Sequence, residues 1–121
     1  MIRALALVLL CAAFLQGGLN KLIDFSAAVG ETTHFGLPFP AFTAAATLGL
    51  EIIGSLCIIS GFLRKPAAIA LAIFTLAATL LANRYWELPI GQERFMTANG
   101  FFEHLGLIGG FLFVAFSERD A

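Results

Sequence analysis

Four apolar stretches of about the length that crosses a bilayer dominate this chain of 121 residues. They run at about 2–19, 42–62, 66–83 and 101–116. A transmembrane helix needs about 20 mostly apolar residues, with a range of roughly 17–25, and backbone groups in lipid must find their partners within the same segment. The alternating pattern of membrane β-strands is absent. The sequence therefore predicts an all-α fold, a transmembrane four-helix bundle with an up-down-up-down course.

The composition supports lipid as the main solvent of this chain. Hydrophobic residues make up 60% of it and charged residues only 12%, whereas soluble domains carry about 25% charged residues. Seven Lys and Arg residues stand against eight Asp and Glu residues, so there is no basic face to bind nucleic acid. The length predicts one domain over residues 1–121, without room for a separate soluble catalytic module.

The first apolar stretch has an alternative interpretation as a cleavable signal peptide. Arg3 precedes twelve apolar residues at 4–15, which is the order of charge and hydrophobicity in such peptides. Residues 16–21 do not offer the small-x-small pattern of a cleavage site. We therefore predict that the first stretch is a membrane span.

The connection between the first two spans predicts a short interfacial helix. Asp24 can cap a helix over residues 25–34, Gly36 can end it, and Pro38 follows just beyond. These are the usual residues at the start and the end of a helix. We expect this helix to lie along the membrane surface or to pack on the bundle.

The other two connections differ in length. Residues 61–66 begin with Gly and end with Pro, a pattern typical of a tight turn between two helices, so spans two and three are predicted to be antiparallel neighbours. Residues 84–100 form a longer connection that contains Tyr85 and Trp86. Such aromatic residues are enriched where a membrane protein meets the interface.

Basic residues predict the orientation in the membrane. One end of the predicted bundle holds Arg3, Arg64, Lys65 and Arg119. The other end holds Lys21, Arg84 and Arg94. Because Lys and Arg are enriched on the cytoplasmic side, we predict that both termini are cytoplasmic.

Glu51 is the residue whose placement inside a predicted span costs the most free energy. It lies near the middle of the second span, where a charged side chain costs roughly 2.5–3.5 kcal/mol on insertion scales. Either the carboxyl is protonated or it has a partner, for example Gln16 or Thr79. A proton or ligand contact and a structural tie between helices are both open interpretations.

Further polar residues gather near one end of three predicted spans. Because helices rise about 1.5 Å per residue, one band at the non-cytoplasmic end is predicted to contain Gln16, Asn20, Asn83, Arg84, Glu103 and His104. We predict a ligand-binding pocket lined by this band, with Glu51 as its floor. The alternative is that the basic side chains near helix ends, Lys21 and Arg84, extend into headgroups and that Glu103 and His104 form a polar pair.

Other kinds of chemistry have little support in the sequence. Glu103 and His104 are adjacent and point about 100° apart on a helix, so a metal site is not predicted. Catalytic triads, phosphate-binding loops and dinucleotide fingerprints are absent. Cys11 and Cys57 do not form a Cys-x-x-Cys pair, and burial in lipid disfavours a reactive thiolate. We interpret both cysteines as packing residues.

Six short motifs, spread over nearly the whole chain, carry a family resemblance. They are Phe14-x-x-Gly17-x-x-x-Lys21-Leu22, Gly36-Leu37-Pro38-Phe39-Pro40, Glu51-x-x-Gly54, Gly61-x-x-Arg64-x-x-Ala67, Asn83-Arg84-Tyr85-Trp86 and Phe101-Phe102-Glu103-His104-Leu105-Gly106. In this order they resemble the DoxX family of small bacterial membrane proteins. Many members look like Phe-x-Lys-Asn at the start of the fourth helix, where this chain has Phe101-Phe102-Glu103-His104. A site that depends on a lysine there is therefore not implied for this chain.

The resemblance implies a four-helix inner-membrane protein, and some relatives are associated with quinone-linked or thiol redox complexes. We predict a non-catalytic membrane subunit that binds a small hydrophobic ligand, a quinone or a lipid, and supports a redox or stress-related complex. Two alternatives remain open: a quinone-linked oxidoreductase and a small proton-coupled carrier that uses Glu51. The expected partners are the lipid bilayer and either other membrane or redox subunits or a second copy of the chain.

Overall fold

The computed structural model describes residues 1–117, and this part of the chain is helical without strands. The helices are α1 (Ile2–Ile23), α2 (Phe25–His34), α3 (Pro40–Ser60), α4 (Arg64–Ala82) and α5 (Gln92–Ser117), with a 3-10 turn at Tyr85–Glu87. Four of them, α1, α3, α4 and α5, are long and apolar enough to cross a membrane. The predicted transmembrane four-helix bundle is confirmed.

The bundle has two distinct ends. At the terminal end, α1 begins, α3 turns into α4, and α5 finishes; at the α2 end lie α2 and the connection from α4 to α5. Lys65 Nζ lies 4.9 Å from the centroid of the Phe116 ring, which joins the start of α4 to the end of α5. Arg119, counted above at this end, lies outside the described residues.

The predicted short helix is present, with its predicted bounds. The Ala27 backbone N–H donates to Asp24 Oδ1 over 3.2 Å, so Asp24 satisfies one of the free donors at the helix start. Ala28 and Thr32 are buried, because α2 packs on α3 and, less extensively, on α1. This short helix therefore covers one end of the bundle rather than extending away from it.

The turn between α3 and α4 is shorter than the predicted 61–66. Gly61 ends α3 with a φ of 93°, a left-handed conformation that glycine adopts without steric cost. Arg64 Nε donates to the Ile58 carbonyl over 2.8 Å and so satisfies a carbonyl in the last turn of α3. The next helix starts at Arg64, two residues before the predicted start at Pro66.

The last helix begins nine residues before its predicted start at residue 101. Hydropathy placed that start too late because residues 92–100 are largely polar. They nevertheless continue the backbone hydrogen bonding of the helix, which begins directly after Gly91. The 26 residues of α5 extend over roughly 39 Å at 1.5 Å per residue. Since the hydrocarbon core is about 30 Å thick, the first turns of α5 continue the helix beyond it.

The apolar core lies mainly in the half of the bundle near the terminal end. Its fully buried members include Ile58, Leu71 and Phe111. The rings of Phe14 and Phe111 meet edge to face with centroids 5.2 Å apart, and they join α1 to α5. Most other large apolar side chains face outward, as expected where lipid replaces water as the solvent.

Candidate ligand cavity at the α2 end

A cavity of about 540 Å³ occupies the half of the bundle near the α2 end. Residues from α1, α2, α3, α4 and α5 line it. Its volume falls within the roughly 300–1,000 Å³ of typical small-molecule sites. Polar side chains are frequent in its wall: Lys21, Glu31, Thr32, Thr43, Thr47, Glu51, Thr75, Thr79 and His104. This region of the bundle is therefore hollow, with several polar groups set in a mostly apolar wall.

An ion pair between two spans forms one wall of the cavity. Lys21 Nζ on α1 lies 3.0 Å from Glu51 Oε1 on α3. The side chain of Glu51 is 8% exposed and that of Lys21 is 23% exposed, so Lys21 brings its charge inward from the end of its helix. Pairing opposite charges offsets much of the cost of placing a carboxylate inside a span.

Glycines on α1 make room for this ion pair. A methyl group at Gly17 would lie 3.3 Å from Glu51 Oε2, and one at Gly18 would lie 2.5 Å from Ile52 Cγ1. Small residues allow helices in a membrane to approach closely. The Gly17–Gly18 step thus brings α3 against α1, and Lys21 follows one helical turn after Gly17.

The opposite wall contains a second polar pair. Thr79 Oγ1 on α4 and His104 Nδ1 on α5 are 3.1 Å apart and share a hydrogen bond. Thr75, one turn before Thr79, instead donates to the Leu71 carbonyl over 2.6 Å. The Thr79–His104 bond therefore links two spans, whereas Thr75 is satisfied within its own helix.

The structure brings two of the seven predicted site residues, Glu51 and His104, into the cavity wall. Neither has the partner proposed from the sequence. Glu51 pairs with Lys21 instead of Gln16 or Thr79, and His104 bonds to Thr79 rather than to the adjacent Glu103.

The other five predicted residues lie outside this wall. Gln16, Asn20 and Glu103 are exposed on the outer surface of their helices. Asn83 is half-buried, with its Nδ2 3.5 Å from the Thr97 carbonyl oxygen. Arg84 pairs with Glu87 across 3.6 Å at the surface. The helix rotations separate these residues from Glu51, although they lie at the same end of the bundle.

Several polar wall residues were missed by the sequence analysis. Lys21 was interpreted as a headgroup contact, and Glu31 and Thr32 on α2 were not considered as site residues. The spacing of Thr75 and Thr79, four residues apart on one helix face, was the available signal for the α4 wall. The contribution of α2 could not be read from spacing, because it depends on how that helix folds back over the bundle.

Metal coordination and thiol chemistry have little structural basis in this region. Among residues 1–117, there is no cluster of three or more His, Cys, Asp and Glu side chains suited to a metal ion. Cys11 is fully buried in the apolar core and Cys57 is half-buried, both as free thiols.

Comparison with known proteins places this architecture in a family. The DoxX family profile matches residues 4–84, which cover α1 to α4 and end before α5. The inner membrane protein YphA of Escherichia coli (strain K12) is 25% identical over 121 residues, covering 100% of this chain and 84% of that protein. No solved structure matches the chain. With four membrane-spanning helices and a family match over two thirds of its length, the chain is a multi-pass inner-membrane protein that belongs to the DoxX family.

Proposed function

We propose that this protein is a non-catalytic membrane subunit that binds a small amphipathic ligand, a quinone or a lipid, in the cavity near α2. The observation that carries this proposal is the hollow α2 half, with paired polar side chains in its wall, beside a tightly packed terminal half. A bundle that served only as a scaffold would gain from filling this space, because unfilled volume costs packing energy. A bound molecule would fill it.

The two polar pairs define where the ligand would be held. Lys21 and Glu51 stand on one wall, and Thr79 and His104 on the other. Between them lie mostly apolar residues such as Phe74 and Leu107. A few polar groups in an otherwise apolar chamber fix the orientation of a ligand and provide specificity. This arrangement suits a molecule with a small polar head and an apolar body.

The proposal is tested by extracting the protein with its surrounding lipid in a styrene–maleic acid copolymer and identifying retained molecules by mass spectrometry. Wild-type protein is expected to retain one species in near-stoichiometric amount. His104→Ala should weaken the binding of this species about fivefold and so lower the amount retained, since losing one hydrogen bond corresponds to roughly 1 kcal/mol. Glu51→Gln should lower it as well.

Matched control variants separate the cavity from general effects of substitution. His34→Ala changes the other histidine of the chain, which is exposed on α2, and Glu93→Gln changes an exposed carboxylate on α5. Both should retain the ligand at the wild-type level. Equal occupancy in His104→Ala, Glu51→Gln and the controls would contradict the proposal. Quinone reduction by the purified chain would favour the oxidoreductase alternative instead.

We further propose that both termini face the cytoplasm, which makes the cavity open toward the opposite side of the membrane. Arg3, Arg64 and Lys65 gather at the terminal end, and such clustering favours the cytoplasmic side. Green fluorescent protein fused to the carboxyl terminus is expected to fluoresce, and alkaline phosphatase at the same position to be inactive. The reverse pattern would invert the proposed orientation.

A further inference from the structure

The spans α1 and α5 are close near the terminal end and separate toward the α2 end. A methyl group at Gly110 would lie 2.9 Å from Leu10 Cδ1, and Phe111 meets Phe14. One turn nearer the α2 end than Leu10, Ala13 of α1 is exposed at the surface and also lines the cavity. The two helices therefore leave a lateral opening above the Phe14–Phe111 contact.

This opening leads into the cavity. Ala13 and Phe14 of α1 and His104 and Leu107 of α5 all line the cavity wall. Over the described residues, no Cα atom of α2 lies within 8 Å of one in α5, so α2 does not bridge α1 to α5. We call this opening the α1–α5 gap, bounded by Ala13 on one side and Leu107 on the other.

Two exposed polar residues stand at the rim of the α1–α5 gap. Asn20 follows Ala13 by seven residues and Glu103 precedes Gly110 by seven residues, so each shares a helix face with its counterpart. Both are exposed near the α2 end of their spans. An exposed polar residue inside lipid is costly, and that cost falls where a headgroup or a ligand passes beside it.

The charges of the cavity restrict what can enter it. Lys21 is the one Lys or Arg side chain among the described wall residues, and Glu51 already neutralises it. Glu31 adds a further carboxylate to the wall. An anionic head would meet this carboxylate without a free cation, whereas a neutral head can bond to His104 or to threonine hydroxyls. The cavity therefore favours an uncharged molecule.

We infer that the ligand is a neutral amphiphile resident in the bilayer, which enters sideways through the α1–α5 gap and leaves its tail there. This inference rests on the proposed function and adds the class of ligand and its route. The head lies between the Lys21–Glu51 and Thr79–His104 pairs. The Phe14–Phe111 contact forms the floor that stops it from passing further toward the terminal end.

The test uses a pair of photoreactive probes in phosphatidylcholine proteoliposomes that contain the full chain. One probe is the methyl ester of a long-chain fatty acid with a diazirine near the ester, and the other is the same molecule as the free acid. Labelled peptides are located by mass spectrometry. We expect the ester to label the cavity walls of α1 and α5, and the acid to label them much less.

Two alanine substitutions in α1 examine the route. Ala13→Phe narrows the α1–α5 gap and should reduce labelling of the cavity wall by the ester about tenfold, equivalent to roughly 1.4 kcal/mol. Ala12→Phe is the matched control, because Ala12 is also exposed on α1 but does not line the cavity. If Ala13→Phe does not fold, Leu107→Trp narrows the same gap from α5.

The outcomes separate this inference from the function on which it rests. Wild-type labelling in folded Ala13→Phe or Leu107→Trp would overturn the lateral route, while loss of labelling in His104→Ala would still support the cavity as the site. Equal labelling by acid and ester would overturn the neutral ligand class. If neither probe labels the cavity, both the inference and the proposed function fail.

Discussion

The terminal half and the α2 half of the bundle differ in how the same four helices pack. In the terminal half, Phe111, Ile58 and Leu71 are completely buried against one another. In the α2 half, paired polar side chains surround a cavity of about 540 Å³. Lipid does not drive apolar helices together as water does, so association depends on close packing and on interhelical polar contacts. The comparison teaches that packing holds this bundle mainly at one end, which leaves the other end free to hold a ligand.

The largest expected effect tests whether stability is concentrated in the terminal half. Phe111→Ala should lower the free energy of unfolding by about 3–5 kcal/mol, as in tightly packed cores. Phe74→Ala, in the half-buried cavity wall, should cost only about 1–2 kcal/mol because less contact is lost. Unfolding of each variant in mixed micelles measures both values. Similar losses at the two positions would remove the distinction between the halves.

A smaller effect is expected from separating the ion pair in the α2 half. Lys21→Met leaves Glu51 without its partner and should cost about 2 kcal/mol, below the 3–5 kcal/mol of fully buried pairs because Lys21 is partly exposed. The double variant Lys21→Met/Glu51→Gln should recover part of that loss. A double-mutant cycle measures the coupling, for which about 0.5–3 kcal/mol is usual between residues in contact. Simple additivity would show that the pair is incidental.

The smallest effect concerns the contact between α1 and α3 at the border of the two halves. Gly18→Ala would place its methyl group 2.5 Å from Ile52 Cγ1, and we expect overpacking to cost about 1–2 kcal/mol. Gly30→Ala on α2 is the control, since its methyl group meets nothing within 4 Å. There a helix interior should gain about 0.5–1 kcal/mol from the replacement. Thermal unfolding of both variants should therefore shift in opposite directions.

The spans were predictable because their signal is local. An uninterrupted apolar stretch in lipid has few alternatives to a helix, and Asp24 and Gly36 mark the short helix through their caps. The start of α5 was not predictable from hydropathy, since that helix continues into polar sequence beyond the hydrocarbon. The length of a helix depends on backbone hydrogen bonding, whereas hydropathy indicates only whether a segment is surrounded by lipid or by water.

The site was predictable only in part, because partners depend on helix rotation. The free-energy cost of a charge inside a span identified Glu51 from the sequence. Its partner Lys21 is brought to it by the close approach of α1 to α3 at Gly17 and Gly18. The sequence placed His104 in the polar band, yet only the packing of α4 on α5 selects Thr79 as its partner.

By itself, the sequence determined that the chain crosses a membrane four times and that its polar residues gather near one end. The tertiary structure decided which of these residues face each other, where the helices separate, and how α2 covers the cavity. The physical reason is that crossing lipid depends on the composition of each segment alone. A cavity, by contrast, depends on the relative rotation and spacing of several segments.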